Sequence, residues 1–314
     1  MDTVDSLRDA LINAGPCHHI RVAPGTYKVP DAYTISYATM NRTVYFYSQG
    51  SGTEDLPIII ESEDPDNMAE LEGLTTADSG YILWINGSNW QIKNLLLRNG
   101  GKGLMLDESS NSLVSGVEVY QVGDEGIHLR SGTSNAVVEN CIVDTTGLQQ
   151  PGFGEGVYIG SDNSQWAYYD EACNNNTVRG CTLRNTGAEG VDVKEGTTGN
   201  LIEDCNIYGG GISGVNFADS FIDLKGDGAR VLNNTFYKES NSKVTRGVAI
   251  VERPLGPTAT NNWIYDNSFF MDDATGLMVH AYAGSNNYAW NNTRTPDGEE
   301  YKGNAPELYF SDPR

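Results

Sequence analysis

Val138-Glu139-Asn140-Cys141-Ile142-Val143, Val178-Arg179-Gly180-Cys181-Thr182-Leu183 and Ile202-Glu203-Asp204-Cys205-Asn206-Ile207 are three copies of one segment. Each runs apolar, any residue, Asn/Gly/Asp, a small residue, then a short alternating strand. The pattern recurs at Ile92-Lys93-Asn94-Leu95-Leu96-Leu97, Val114-Ser115-Gly116-Val117-Glu118-Val119, Val231-Leu232-Asn233-Asn234-Thr235-Phe236 and Ile264-Tyr265-Asp266-Asn267-Ser268-Phe269. Its third position accepts a left-handed backbone at little cost, so the chain bends there. The fourth position then stacks Leu95, Val117, Cys141, Cys181, Cys205, Asn234 and Asn267 in one inward column. The chain has 5 cysteines, an odd number, and none forms a CxxC pair. The column cysteines are therefore read as small buried residues rather than as a zinc or redox site.

A second segment type alternates with the first: Gly103-Leu104-Met105-Leu106-Asp107, Gly126-Ile127-His128-Leu129-Arg130, Gly156-Val157-Tyr158-Ile159-Gly160 and Gly190-Val191-Asp192-Val193-Lys194. It continues as Phe221-Ile222-Asp223-Leu224-Lys225, Gly247-Val248-Ala249-Ile250-Val251 and Gly276-Leu277-Met278-Val279-His280. Period-2 alternation puts the aliphatic residues on one face and the variable ones on the other. Successive copies lie 23 to 34 residues apart. Two strands per repeat of that length describe the coils of an all-β parallel solenoid, whereas a propeller blade needs four strands and about 40 residues. Val4, Leu7 and Leu11 have helical spacing and predict a cap over residues 1–16 that covers the open end. The solenoid is expected over 17–290, with a polar tail at 291–314 lying loosely over the far end.

Of 314 residues, 42 are acidic and 20 basic, for a net charge of −22. That excludes a nucleic-acid partner, which needs a basic footprint. No apolar run reaches the roughly 18 residues of a membrane span. Asp2-Thr3-Val4-Asp5 has neither the basic nor the apolar region of a signal peptide. Either the protein stays inside the cell or the chain is a mature form; Asn-x-Ser/Thr sequons at Asn41, Asn86, Asn175, Asn233 and Asn291 weakly support the secreted or cell-surface reading.

The outward residues of the second strand type form two ladders: Met105, His128, Tyr158, Asp192, Asp223, Ala249, Met278, and Asp107, Arg130, Gly160, Lys194, Lys225, Val251, His280. Ionisable and aromatic groups concentrate in the middle coils, which points to a cleft. Lys194 and Lys225 are neighbours, so their repulsion is expected to leave one neutral and able to act as a base. The alternative is a salt-bridge lattice formed with Asp192 and Asp223. Glu125, Glu155 and Glu189 precede the strand glycines in three successive coils. Such a stack either holds a cation, for which Ca2+ is the natural candidate, or faces solvent at a corner. Tyr158, Trp166, Tyr168, Arg246 and His280 are candidate sugar contacts. For the insertion that carries Trp166 and Tyr168, the other reading is a loop folded onto the wall. No organic cofactor is expected.

With Ala23-Pro24-Gly25-Thr26-Tyr27 opening the first coil, residues 17–290 resemble the right-handed parallel β-helix proteins of the pectate lyase superfamily. The stretch Glu189 to Lys194, followed by Phe221 to Gly226, is similar to the active-site region of the chondroitinase B and alginate lyase group. There a calcium-binding glutamate precedes the lysine base by five positions, as Glu189 precedes Lys194. Lys225 matches a catalytic arginine, Gly226 stands where histidine is common, and Gly187 replaces the second metal glutamate. The resemblance implies a polysaccharide lyase acting on a uronate-containing glycan, with Lys194 as base and Lys225 or a glutamate-bound Ca2+ neutralising the substrate carboxylate. It leaves His128, Arg130 or Tyr158 to bind sugar or protonate the leaving oxygen. A glycoside hydrolase using Asp192 and Asp223, a C5-epimerase and a non-catalytic glycan-binding solenoid stay open.

Overall fold

A computed structural model describes residues 1–253 and 259–314. Each complete coil contributes one strand to each of three sheets, here A, B and C. Sheet A has 11 strands, from His19–Val22 to Leu308–Tyr309, and sheet B has 10, from Thr26–Lys28 to Thr293–Thr295. Sheet C has 11, from Tyr33–Tyr37 to Tyr301–Lys302. Neighbouring coils pair in parallel and in register, as Val114↔Val138 and Val138↔Val178 do in sheet A.

The corner between sheets A and B is made by the third position of the repeat. Asn94, Gly116, Asn140, Gly180, Asp204, Asn233 and Asp266 all have φ between 50° and 64°. Side chains with a short amide or carboxylate, or none, tolerate that conformation best. One residue later Cys141, Cys181 and Cys205 are buried with free thiols. Farther on the same column becomes an asparagine ladder. Asn234 Nδ2 donates to the Ile202 carbonyl at 3.0 Å, and the Asn234 backbone N–H donates to Asn267 Oδ1 at 2.9 Å. Each buried amide is thus satisfied by the coils on either side.

The helix Val4–Ile12 starts at a capping box, in which Thr3 Oγ1 accepts the Ser6 N–H and Ser6 Oγ accepts the Thr3 N–H. It buries Leu7 and Leu11 in the end of the core, as its spacing predicts. The far end differs from expectation. Thr293–Thr295, Tyr301–Lys302 and Leu308–Tyr309 extend all three sheets, so the solenoid continues past residue 290 and the segment is no loose cover.

Sheet C opens with an antiparallel hairpin, Tyr33–Tyr37 with Met40–Ser48, that the repeat pattern does not reveal. Ala38 and Thr39 turn it with φ of 50° and 64°. Tyr33, Ile35 and Tyr37 fold back over the outer face of sheet C and pack on Val44, Tyr47, Tyr81, Trp84 and Met105. The first coils of that face are therefore closed to solvent.

Candidate active site

The outward ladder of sheet C runs, in backbone register, Tyr47, Trp84, Met105, His128, Tyr158, Asp192, Asp223, Ala249, His280, Lys302. This corrects the sequence alignment at one end, where His280 rather than Met278 follows Ala249. The cause is Gly276, which takes a left-handed turn at φ 84° and shifts the next strand by two residues.

At the centre of the ladder Lys194 Nζ lies 2.7 Å from Asp192 Oδ2, and Lys225 Nζ lies 2.7 Å from Asp192 Oδ1. Lys225 also reaches Asp223 Oδ2 at 2.9 Å, and Ser220 Oγ donates to the other Asp223 oxygen at 2.8 Å. Asp192, Lys194 and Lys225 are buried. Burial alone would raise the Asp192 carboxyl, but the two ammonium groups outweigh it and hold it below the usual range. Burial would likewise lower both lysines. For Lys194 the attraction of Asp192 and Glu155 wins, for Lys225 that of Asp192 and Asp223, and both are raised. The expectation that lysine–lysine repulsion leaves one neutral is thereby corrected: a carboxylate stands between them. Asp192 and Asp223 also share one ammonium, that of Lys225, and Asp192 is held ionised by both lysines.

Tyr158 flanks this group, with Lys194 Nζ 4.8 Å from its ring centroid. Its phenol is raised well above the ordinary value, first by burial and then by Asp192 and Glu155. The neighbouring His128 packs edge-on against Tyr158 and donates through Nε2 to the Gly160 carbonyl, 2.9 Å away. Since a carbonyl only accepts, Nε2 carries the proton and Nδ1 is bare. Burial and the nearby Arg130 push this imidazole far below its usual value, so it is neutral.

Beside the ion chain, Glu155, Glu189 and Asp192 offer carboxylate oxygens that all lie within 4.8 Å of one another. Burial, reinforced by Glu125 and Asp192, pushes Glu155 up to about 8. Glu189 is likewise raised well above its ordinary value, by burial and by Asp223 and Asp192. Glu125, expected as the third ligand, is instead ion-paired with Lys102, and Asp192 takes its place in the cluster.

Other expected contacts lie apart from this centre. Arg130 is locked into a two-toothed pair with Asp107, at 2.8 and 2.7 Å, and lies 3.9 Å from the centroid of the Tyr169 ring. It belongs to the wall. Tyr169 stacks on Tyr37 of the hairpin, and the Tyr37 hydroxyl donates to Glu108 and accepts from Ser131. Of the insertion's aromatics, Trp166 donates to the Ser161 carbonyl and sits against Gly196, while Tyr168 is exposed. The loop is folded onto the wall. The wall residues Tyr37, Trp84 and Tyr169 were not legible as part of the cleft, because their contacts cross many coils.

Residues 44–167 match the family described as right handed beta helix region. No curated relative matches the chain. Among solved structures, the alginate lyase from Paenibacillus sp. str. FPU-7 is 35% identical, covers 99% of this chain and 98% of its own, and superposes with a TM-score of 0.89. The chain belongs to the polysaccharide-lyase family of right-handed parallel β-helix proteins. More distant members of this fold include a rhamnogalacturonan lyase, with 14% identity, 94% and 79% coverage and TM-score 0.69. The A-module of an Azotobacter vinelandii mannuronan C-5 epimerase shares 14% identity, with 99% and 94% coverage and TM-score 0.53. At that identity the β-helix lyases and the epimerase share only the fold with this family member.

Proposed function

We propose that the chain is an extracellular polysaccharide lyase that cleaves a polyuronate of the alginate class by β-elimination. The observation that carries this reading is the buried Tyr158–Lys194–Asp192 group, in a chain 35% identical over nearly its whole length to an enzyme named alginate lyase. No helix among the described residues is long and apolar enough to cross a membrane.

In the elimination a base takes the C5 proton, the electron pair becomes the C4=C5 double bond, and the C4–O4 bond breaks as O4 receives a proton. Lys194, held as an ammonium by Asp192, is the donor to O4 rather than the base. Tyr158, beside it, is the base. It acts as the phenolate, having released its own proton to solvent before the C5 proton is taken; burial, Asp192 and Glu155 all oppose that ionisation, and compensation of the two carboxylate charges favours it. Lys225, saturated by two carboxylates, keeps Asp192 ionised and does not itself reach the substrate.

Glu155, Glu189 and Asp192 fit a hard divalent cation such as Ca2+. All three are buried oxygen donors, and Glu155 Oε2 has no partner among the described residues. When bound, that ion would supply positive charge against the substrate carboxylate as enolate character develops.

Ultraviolet absorbance of the unsaturated product, over alginate, pectate, glucuronan and chondroitin, with calcium or chelator, tests the reading. Alginate should give the signal, and Lys194→Met and Tyr158→Phe should each lower kcat by about 10²- to 10⁴-fold. An oligouronide with an activated aryl leaving group should rescue Lys194→Met and not Tyr158→Phe, since only the acid becomes dispensable. No unsaturated product from any polyuronate would overturn the lyase assignment.

A further inference from the structure

The outward ladder does not end at the reacting groups. Beyond Asp223 it continues through Ala249 and His280 to Lys302, with Arg246 at the start of the Ala249 strand. Resting on the polyuronate reading above, we propose that Arg246 and Lys302 form a carboxylate-binding track, which carries the substrate chain from the catalytic centre toward the C-terminal end of the solenoid.

The donors of Arg246 are only partly used. Among the described residues its guanidinium donates through Nη1 to Asp219, leaving Nε and Nη2 without a protein acceptor. The guanidinium carbon lies 4.9 Å from the centroid of the Tyr282 ring, which stacks on His280 at 3.7 Å. A planar fork held over an aromatic ring, with donors free, is a pre-organised receptor for a carboxylate. Lys302 is exposed and, among the described residues, has no carboxylate partner. His280 lies between them. Burial, Arg246 and Lys302 lower it to about 4, so it carries no charge at neutral pH and the two cations supply the attraction. The acids facing the track are Asp219, already paired with Arg246, and Asp223, already paired with Lys225.

Toward the N-terminus, Lys102 and Arg130 are consumed by Glu125 and Asp107, the hairpin covers Trp84 and Met105, and Arg42, which has no carboxylate partner among the described residues, is turned onto Tyr169 and Met40. A protein of net charge −22 gives a polyanion no general attraction, so local cations must supply it. Spacing agrees as well. Coils stack at about 4.8 Å, close to the rise of one sugar in an extended chain, so the Arg246 coil lies two coils from Lys194 and the Lys302 coil four.

The test compares the full chain with Arg246→Gln, Arg246→Lys and Lys302→Gln on mannuronate oligomers from trimer to octamer. Arg246→Gln should raise KM about ten-fold on the longer oligomers with kcat little changed, leave the trimer unaffected, and weaken the salt dependence of KM. Lys302→Gln should act on the longest oligomers alone, and Arg246→Lys should recover part of the loss. An unchanged KM, or an equal loss at every length, overturns the track. Retardation of the same proteins in gels containing alginate or a neutral glycan separates this outcome from failure of the lyase reading. If the wild type makes no unsaturated product, alginate retardation that Arg246→Gln abolishes still supports the track. Equal retardation of the two proteins overturns it.

Discussion

The two halves of the sheet C outer ladder share one backbone and have opposite fates. In the N-terminal half, Tyr47, Trp84 and Met105 lie under a hairpin and are fully dry or nearly so. In the C-terminal half, Asp192, Asp223, His280 and Lys302 occupy equivalent positions, in register with the same pleat. The solenoid specifies only which side chains point outward. What they do depends on what packs against them: an apolar ladder under Tyr33, Ile35 and Tyr37 becomes a second small core, and an ionic ladder beyond the hairpin, buried among its own ion pairs at Asp192 and opening to solvent at Asp223 and Lys302, becomes a cleft floor.

The sharpest way to break that contrast is Asp192→Asn. It removes the carboxylate between two buried ammonium groups, and Lys194 is left without its 2.7 Å partner. Breaking a buried pair in this way costs about 3–5 kcal/mol, because a charge stays behind uncompensated. The expected result is elimination below detection and a lowered unfolding midpoint in denaturant. Normal turnover in the folded fraction would show that the ion chain is only a lattice. In the other half, Trp84→Ala should cost a similar 3–5 kcal/mol, from an indole with 0% exposure and a 2.8 Å bond to Asp107. Yet its folded fraction should keep kcat within a few-fold. A kcat loss as large as that of Lys194→Met would mean that the covered half takes part in the chemistry.

The coils were legible because their cause is local. An Asn, Gly or Asp at each corner and an aliphatic residue two positions before it specify bend and core together, and the same spacing placed Asp192, Asp223, Lys194 and Lys225 side by side. What was illegible depends on distant partners. Tyr33, Ile35 and Tyr37 alternate like any strand, and nothing near them shows that Tyr37 meets Ser131, 94 residues away. Glu125 has the right offset for the carboxylate cluster, but Lys102 in the preceding coil claims it. The lysine pair was read from its own repulsion, whereas the charge state is decided by Asp192 and its neighbours. The repeat pattern alone puts Met278 where His280 stands, because Gly276 resembles the glycine that opens other strands of sheet C while serving as a left-handed turn.

That histidine offers the mildest probe of the contrast between the two halves. In the folded protein His280 is lowered from 6.5 to about 4, first by burial and then by Arg246 and Lys302. A histidine that is harder to protonate when folded binds fewer protons than the unfolded chain between those two values. The stability it contributes is therefore complete above about 6.5 and lost progressively as pH falls to about 4. Against wild type, His280→Gln should flatten the rise of the urea midpoint across that window and leave the midpoint above it nearly unchanged. The same substitution in an Arg246→Gln background should have a smaller effect, since one of the charges that depress the imidazole is gone. An undiminished effect there would mean that burial alone sets the shift, and that the cations of the open half do not act on this residue as the ladder's register implies.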